Sequence, residues 1–192
     1  MTFTGDRYCP EVTFDSESGE ASLRHLATTG CNFVALVVTW YQSSYMSSKV
    51  YPLSRPFAGH DPRGTFWRYT YVSETPKSVV RAIRLAHSLG MQVLLKPHVD
   101  LINSQGLWRG DIMAVSGWWD SYSKMLLFWA RIAQQEGVEM LSVSCELIGV
   151  SRDEQSWRKV IASVRNVYKG KLTAAANWAP LRGEGELTQK VI

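Results

Sequence analysis

Four near-continuous apolar runs set the strongest limit on how this chain can fold: "NFVALVVTW" (32–40), "MQVLLKPHVD" (91–100), "VEMLSVSCEL" (138–147) and "KLTAAANW" (171–178). Each has the length of a strand, and the weak polar alternation predicts strands covered on both faces, as in a parallel sheet. Segments of helical period lie between them. "TPKSVVRAIRLAHSLG" offers Thr75 as N-cap, Pro76 at the first helical position, Val79, Ala82, Ile83 and Ala86 as one face and Gly90 as the stop. "GWWDSYSKMLLFWARIAQQEG" brings Trp119, Tyr122, Leu126, Trp129 and Ala133 close to helical spacing. "SRDEQSWRKVIASVRNVYKG" reads as a capping box of Ser151 and Glu154, a stripe of Trp157, Val160, Ile161, Val164 and Tyr168, and a stop at Gly170. Another helix, over about residues 18–29, ends at Gly30.

Strands alternating with helices through right-handed crossovers imply an α/β fold, either an open doubly wound sheet or a barrel. No glycine-rich phosphate loop follows any of the strands, which removes the usual mark of a nucleotide-binding open sheet. Polar and aromatic residues follow them instead: Trp40 and Tyr41, then Lys96, His98 and Asp100, then Glu146, then Asn177 and Trp178. A (β/α)₈ barrel carries its functional groups at those carboxyl ends. With "FTGDRY" counted as a first strand, the chain supplies at most five of the eight. The expectation is an α/β fold of partial TIM-barrel type, the first five β/α units, with residues 1–178 as an incomplete barrel and 179–192 as a divergent tail. The segment from Tyr41 to Glu74 has no strong period and reads as a loop shaping a cleft or as a surface insertion. An edge left open after the fifth strand predicts self-association unless the tail covers it.

Composition narrows the function classes. With 192 residues, 45% apolar and 20% charged, the chain suits one globular domain. No window approaches a membrane-spanning run, and "MTFTGDRYCP" lacks a signal-peptide pattern, so membrane insertion and secretion find no support and the compartment is left open. Cys9, Cys31 and Cys145 are far apart and paired with no histidine at metal spacing, which reads as free thiols with no metal or other cofactor. The net charge of +4 is spread along the chain, a weak basis for a nucleic-acid surface. Eight Trp and eight Tyr are most often core material, but aromatic faces are also what sugar rings stack on.

Glu146 is the foremost candidate for chemistry. A carboxyl at the mouth of an apolar barrel is pushed toward its protonated form by desolvation and can then donate to a leaving oxygen; alternatively it is a strand-end glutamate in a salt bridge with Lys96 or an arginine. His98 follows Pro97 and points toward the same mouth, either as a structural hydrogen-bonding group or as a site residue. Asp100 is placed to hold that histidine or to bond a sugar hydroxyl. Asn177 pairs an amide with the stacking ring of Trp178, and "LWRGD" (107–111) adds Trp108 and Arg109 in the loop after the 91–100 strand.

The segments "ATTGCNFVALVVTWYQ", "KPHVD", "WRGDI", the Glu-Leu of "CELIG" and "WRKVIASVRNVYKGKLTAAANW", in that order, resemble the mannanases of glycoside hydrolase family 113 over roughly residues 21–178. The resemblance implies a TIM-barrel enzyme of the retaining clan A type, double displacement on β-1,4-mannosidic bonds, an oligo- or polysaccharide partner and no metal. It aligns Glu146 with the acid/base at the end of the fourth barrel strand, and Trp40, His98, Asn177 and Trp178 with positions lining the substrate cleft. Many clan A enzymes have asparagine just before the acid/base, where this chain has Cys145. A retaining glycosidase also needs a carboxylate nucleophile about 5–5.5 Å from the acid/base. In this clan the seventh strand supplies it, whereas "APLRGEGELTQKVI" offers only Glu184 and Glu186 in a glycine-flanked tail. The expected function is a retaining glycoside hydrolase-like protein for β-mannan or a related β-1,4-linked polysaccharide, with the acid/base present and the nucleophile strand missing. The alternative is a non-catalytic carbohydrate-binding remnant of such an enzyme.

Overall fold

The computed structural model describes residues 1–3, 12–55, 57–60 and 68–177, with backbone alone at 57–60 and 68–71. Five strands, β1 (Thr2–Phe3), β2 (Phe33–Gln42), β5 (Gln92–Leu101), β6 (Met140–Cys145) and β7 (Lys171–Ala175), form one parallel sheet in the order β1-β2-β5-β6-β7. The helices α1 (Glu17–Thr28), α2 (Pro76–Ser88), α3 (Trp118–Gln135) and α4 (Glu154–Val167) supply the crossovers. Strand order follows chain order without reversal. Right-handed crossovers then put all the helices on one face, whereas a doubly wound sheet reverses its order at a switch point. The arrangement is therefore a partial TIM barrel of about five β/α units, as expected. Of "FTGDRY", β1 takes only Phe3, and residues 4–8 lie outside the described residues.

Helix ends follow from which side chains can satisfy the free amides. Ser16 and Thr75 cap α1 and α2 by accepting from Gly19 N and Ser78 N, and Gly90 ends α2 with φ of +77°. The capping box expected at Ser151 and Glu154 is corrected: Asp153 caps α4 by accepting from Ser156 N at 3.1 Å. Ser151 is already committed, its hydroxyl donating to Ile148 O at 2.8 Å to close the 3₁₀ turn Ile148–Val150. In α3 the buried stripe begins at Trp118, with Trp119 partly buried beside it. Among the described residues, no helix is long and apolar enough to cross a membrane.

Most of the tryptophan serves the core. Trp118, Trp129 and Trp157 are fully buried, and Trp118 stacks on Tyr122 with ring centroids 4.8 Å apart. Three polar tips of this layer find partners, with Trp118 Nε1 donating to Gln42 Oε1, Tyr122 Oη to Val143 O and Trp157 Nε1 to Val150 O, whereas the buried Trp129 Nε1 has none among the described residues.

Two expectations change. The apolar runs imply strands covered on both faces, yet β5 alternates: Val93, Leu95, Val99 and Leu101 are buried toward the helices while Leu94, Lys96, His98 and Asp100 are half-buried on the concave face. The segment from Tyr41 to Glu74 is also not wholly irregular. It contains an antiparallel pair, β3 (Phe57–His60) with β4 (Arg68–Tyr71), and is fastened to the end of β2 by the Tyr41–Tyr51 bridge and by Ser73 Oγ donating to Thr39 O at 2.6 Å.

Candidate active site

The strands place the polar groups by parity and by a break in pairing. Side chains two apart share a face, so Lys96, His98 and Asp100 of β5 line the concave side in a row rising toward the carboxyl end. The ladder between β5 and β6 pairs Leu94 with Met140 and Leu95 with Leu141, near the start of both strands. A bulge at Ser142/Ser144 then interrupts the pairing of β6 with β7. One residue beyond β6, Glu146 adopts the left-handed region with φ of +56°, its N–H donating to Ala175 O at 2.8 Å. A glutamate in that conformation carries roughly 1–2 kcal/mol of strain, which the surrounding contacts must offset.

Arg109 joins the two strand ends. Its Nε and Nη2 lie 2.8 and 2.7 Å from Asp100 Oδ1, and its Nη1 donates to Glu146 Oε2 at 2.7 Å. The 3₁₀ turn Arg109–Asp111 that carries it is pressed against the turn Ile148–Val150. Gly149 permits that approach, since a Cβ there would stand 2.4 Å from Ile112 O.

Electrostatics separates the roles of these groups. Burial works against the charge of Arg109, but the Asp100 carboxylate, with help from Glu146, holds the guanidinium above its ordinary value. His98 moves the other way: burial, then the positive charges of Arg109 and Lys96, push it down to about 2, so it is neutral. Its Nε2 is buried and has no hydrogen-bond partner among the described residues. Burial likewise raises the Cys145 thiol, leaving it protonated next to Glu146.

His98, Asp100 and Glu146, all expected at the mouth, do come together there. Trp108 is adjacent to Arg109, 39% exposed, with its ring lying over Gly110. Trp40 stands apart: its ring centroid is 5.5 Å from that of Phe128 and 6.3 Å from that of Trp129, which places it against α3 on the helical side of the sheet. Asn177 lies two residues past β7, half-buried. Trp178, Glu184, Glu186 and the segment 179–192 lie outside the described residues. Asp100 takes Arg109 as its partner and not His98, and the arginine beside Glu146 is Arg109. That bridge was hidden in the sequence because its members are 9 and 37 residues apart with no local spacing rule to join them.

The family model for glycoside hydrolase family 113 matches residues 1–183. The chain belongs to glycoside hydrolase family 113. Among solved structures, it resembles the family 113 β-mannanase of Alicyclobacillus acidocaldarius in complex with ManMIm, with 27% identity and a TM-score of 0.76 over 93% of this chain and 54% of that one. It is also similar to two structures of a family 113 β-1,4-mannanase, one of them a complex, at 26% and 28% identity with TM-scores of 0.71 and 0.70. The chain thus spans about 54–55% of the length of these family 113 structures. A more distant likeness to the Pseudomonas stutzeri endoglucanase Cel5A, 12% identical with a TM-score of 0.51, concerns the fold alone. No protein of curated function matches the sequence significantly.

Proposed function

We propose that this family 113 chain is a retaining glycoside hydrolase-like protein for β-mannan or a related β-1,4-linked polysaccharide, with Glu146 as its acid/base. The observation that carries this reading is the placement of Glu146, in a strained left-handed conformation at the carboxyl end of a parallel strand, on the guanidinium whose charge also helps keep His98 neutral. Backbone strain of this kind clusters at functional sites. Residues 1–178 form the incomplete barrel and 179–192 the tail.

In the proposed reaction, the Glu146 carboxylic acid gives its proton to the glycosidic oxygen as the bond to the anomeric carbon breaks. A second carboxylate attacks the opposite face and forms the glycosyl-enzyme. Glu146 then takes a proton from water as that water releases the sugar. His98 Nε2 and Asn177 meet sugar hydroxyls, and the exposed Trp108 ring offers a stacking face. Asp100 is already engaged by two donors of Arg109 and serves as an anchor, so the nucleophile comes from outside the described residues, and this chain alone hydrolyses mannan weakly or not at all. The same consideration favours the second reading, a carbohydrate-binding protein without turnover.

The experiment is calorimetric titration with mannotetraose alongside reducing-sugar release from β-mannan, for wild type and Glu146→Gln. Turnover that falls about 10²–10⁴-fold in Glu146→Gln supports the hydrolase. Binding without turnover fits both readings of this chain, and neither binding nor turnover overturns both. We further propose that the β7 edge pairs with another chain unless the tail covers it, and a monodisperse monomer in light scattering would count against the pairing.

A further inference from the structure

We propose that Arg109 is a positioning residue, a guanidinium clamp that spans the gap between β5 and β6 and holds Glu146 by one carboxylate oxygen so that the other faces the sugar. This inference rests on the reading of Glu146 as the sugar-facing carboxyl. The backbone does not hold the two strand ends together, because the β5–β6 ladder pairs Leu94 with Met140 and Leu95 with Leu141, well short of Asp100 and Glu146. The guanidinium takes over there, with two donors on Asp100 Oδ1 and a third, Nη1, on Glu146 Oε2 at 2.7 Å. Its planar fork fixes direction as well as distance, which a lysine ammonium does not.

The clamp has its own support. Asp111 Oδ2 accepts from Trp108 N at 3.0 Å, and Asp111 N donates to Trp108 O at 2.9 Å, so the turn carrying Arg109 is closed on itself. Contact with the turn after Glu146, made possible by Gly149, ties that unit to the strand it serves. Glu146 Oε1 takes no hydrogen bond among the described residues, and the Oε2 contact sets which way it points.

The test is carboxyl-region NMR of the 192-residue protein labelled with ¹³C at the glutamate side chain, titrated with mannotriose. The Glu146 signal is assigned by its absence from Glu146→Gln. Arg109→Met is expected to displace and broaden this signal in the sugar-free protein, Arg109→Lys to broaden it, and Asp100→Asn to move it by a smaller amount. An unchanged Glu146 signal in a folded Arg109→Met or Asp100→Asn protein overturns the clamp, even if the melting temperature falls, since that outcome assigns Arg109 a merely structural role. A wild-type Glu146 signal that mannotriose leaves in place overturns the sugar-facing reading instead, and the two failures are told apart because the clamp is read without sugar.

Discussion

The two faces of β5 were built under different demands. Toward the helices it presents Val93, Leu95, Val99 and Leu101, all at most 4% exposed, where volume and apolarity suffice. Toward the concave side it presents Lys96, His98 and Asp100, whose charges and polar atoms must be met by specific partners or by a ligand. The contrast teaches that one strand separates stability from chemistry by parity alone. Only where loops cross from one face to the other, as at Gly149, should a change disturb both.

The sharpest break of that separation would come from the helical side. Trp157 is fully buried, meets Trp119 edge-on at 5.0 Å between ring centroids and donates to Val150 O. Trp157→Ala is expected to lose about 3–5 kcal/mol of stability in urea denaturation. A loss under about 1 kcal/mol would mean that the helical layer is not what holds the sheet. Gly149→Ala comes next, at about 1–3 kcal/mol, because the added methyl would lie 2.4 Å from Ile112 O, a backbone atom with little freedom to move. It should also change the sugar-site signal of Glu146, whereas Leu95→Val should lower stability and leave that signal alone.

Sequence reasoning captured the parts governed by period and caps. The runs 32–40 and 91–100 became strands within two residues of their ends, and Thr75, Pro76 and Gly90 delimit α2 as read. It put His98, Asp100 and Glu146 at one mouth because parallel strands share a direction. It missed what depends on pairs distant in the chain: which cation would meet Glu146, left between Lys96 and an arginine and found to be Arg109, the packing of Trp40 on α3, and the bulge in the β6–β7 ladder just before Glu146. Ser151 misled for a related reason. A serine preceding an acidic turn fits a cap, but here its hydroxyl was already used by the turn before it.

A pH series sharpens the concave side. His98 is held down to about 2 by burial and by the charges of Arg109 and Lys96, while an unfolded histidine titrates near 6.5. The unfolded state therefore binds the proton first, so the stability associated with neutral His98 is complete above about pH 6.5 and is lost as pH falls. Between pH 7 and pH 5 the wild type should lose about 1–2 kcal/mol more than His98→Gln. Parallel curves for the two proteins would place His98 in water and remove it from the mouth.

The smallest effect is the most direct test of what Glu146 is for. Its φ of +56° strains any residue with a side chain, and glycine alone escapes that penalty. Comparing Glu146→Gly with Glu146→Gln removes the carboxylate in both and the strain in one. Relief of roughly 1–2 kcal/mol, less the roughly 0.5–1 kcal/mol that glycine loses on ordering, should leave Glu146→Gly more stable by about 0.5–1 kcal/mol. If so, the protein keeps at this position a residue that its own backbone disfavours, and stability does not explain the glutamate. Equal stability would mean that the left-handed conformation costs a side chain here no more than glycine loses on ordering, and the argument from strain to function would fail.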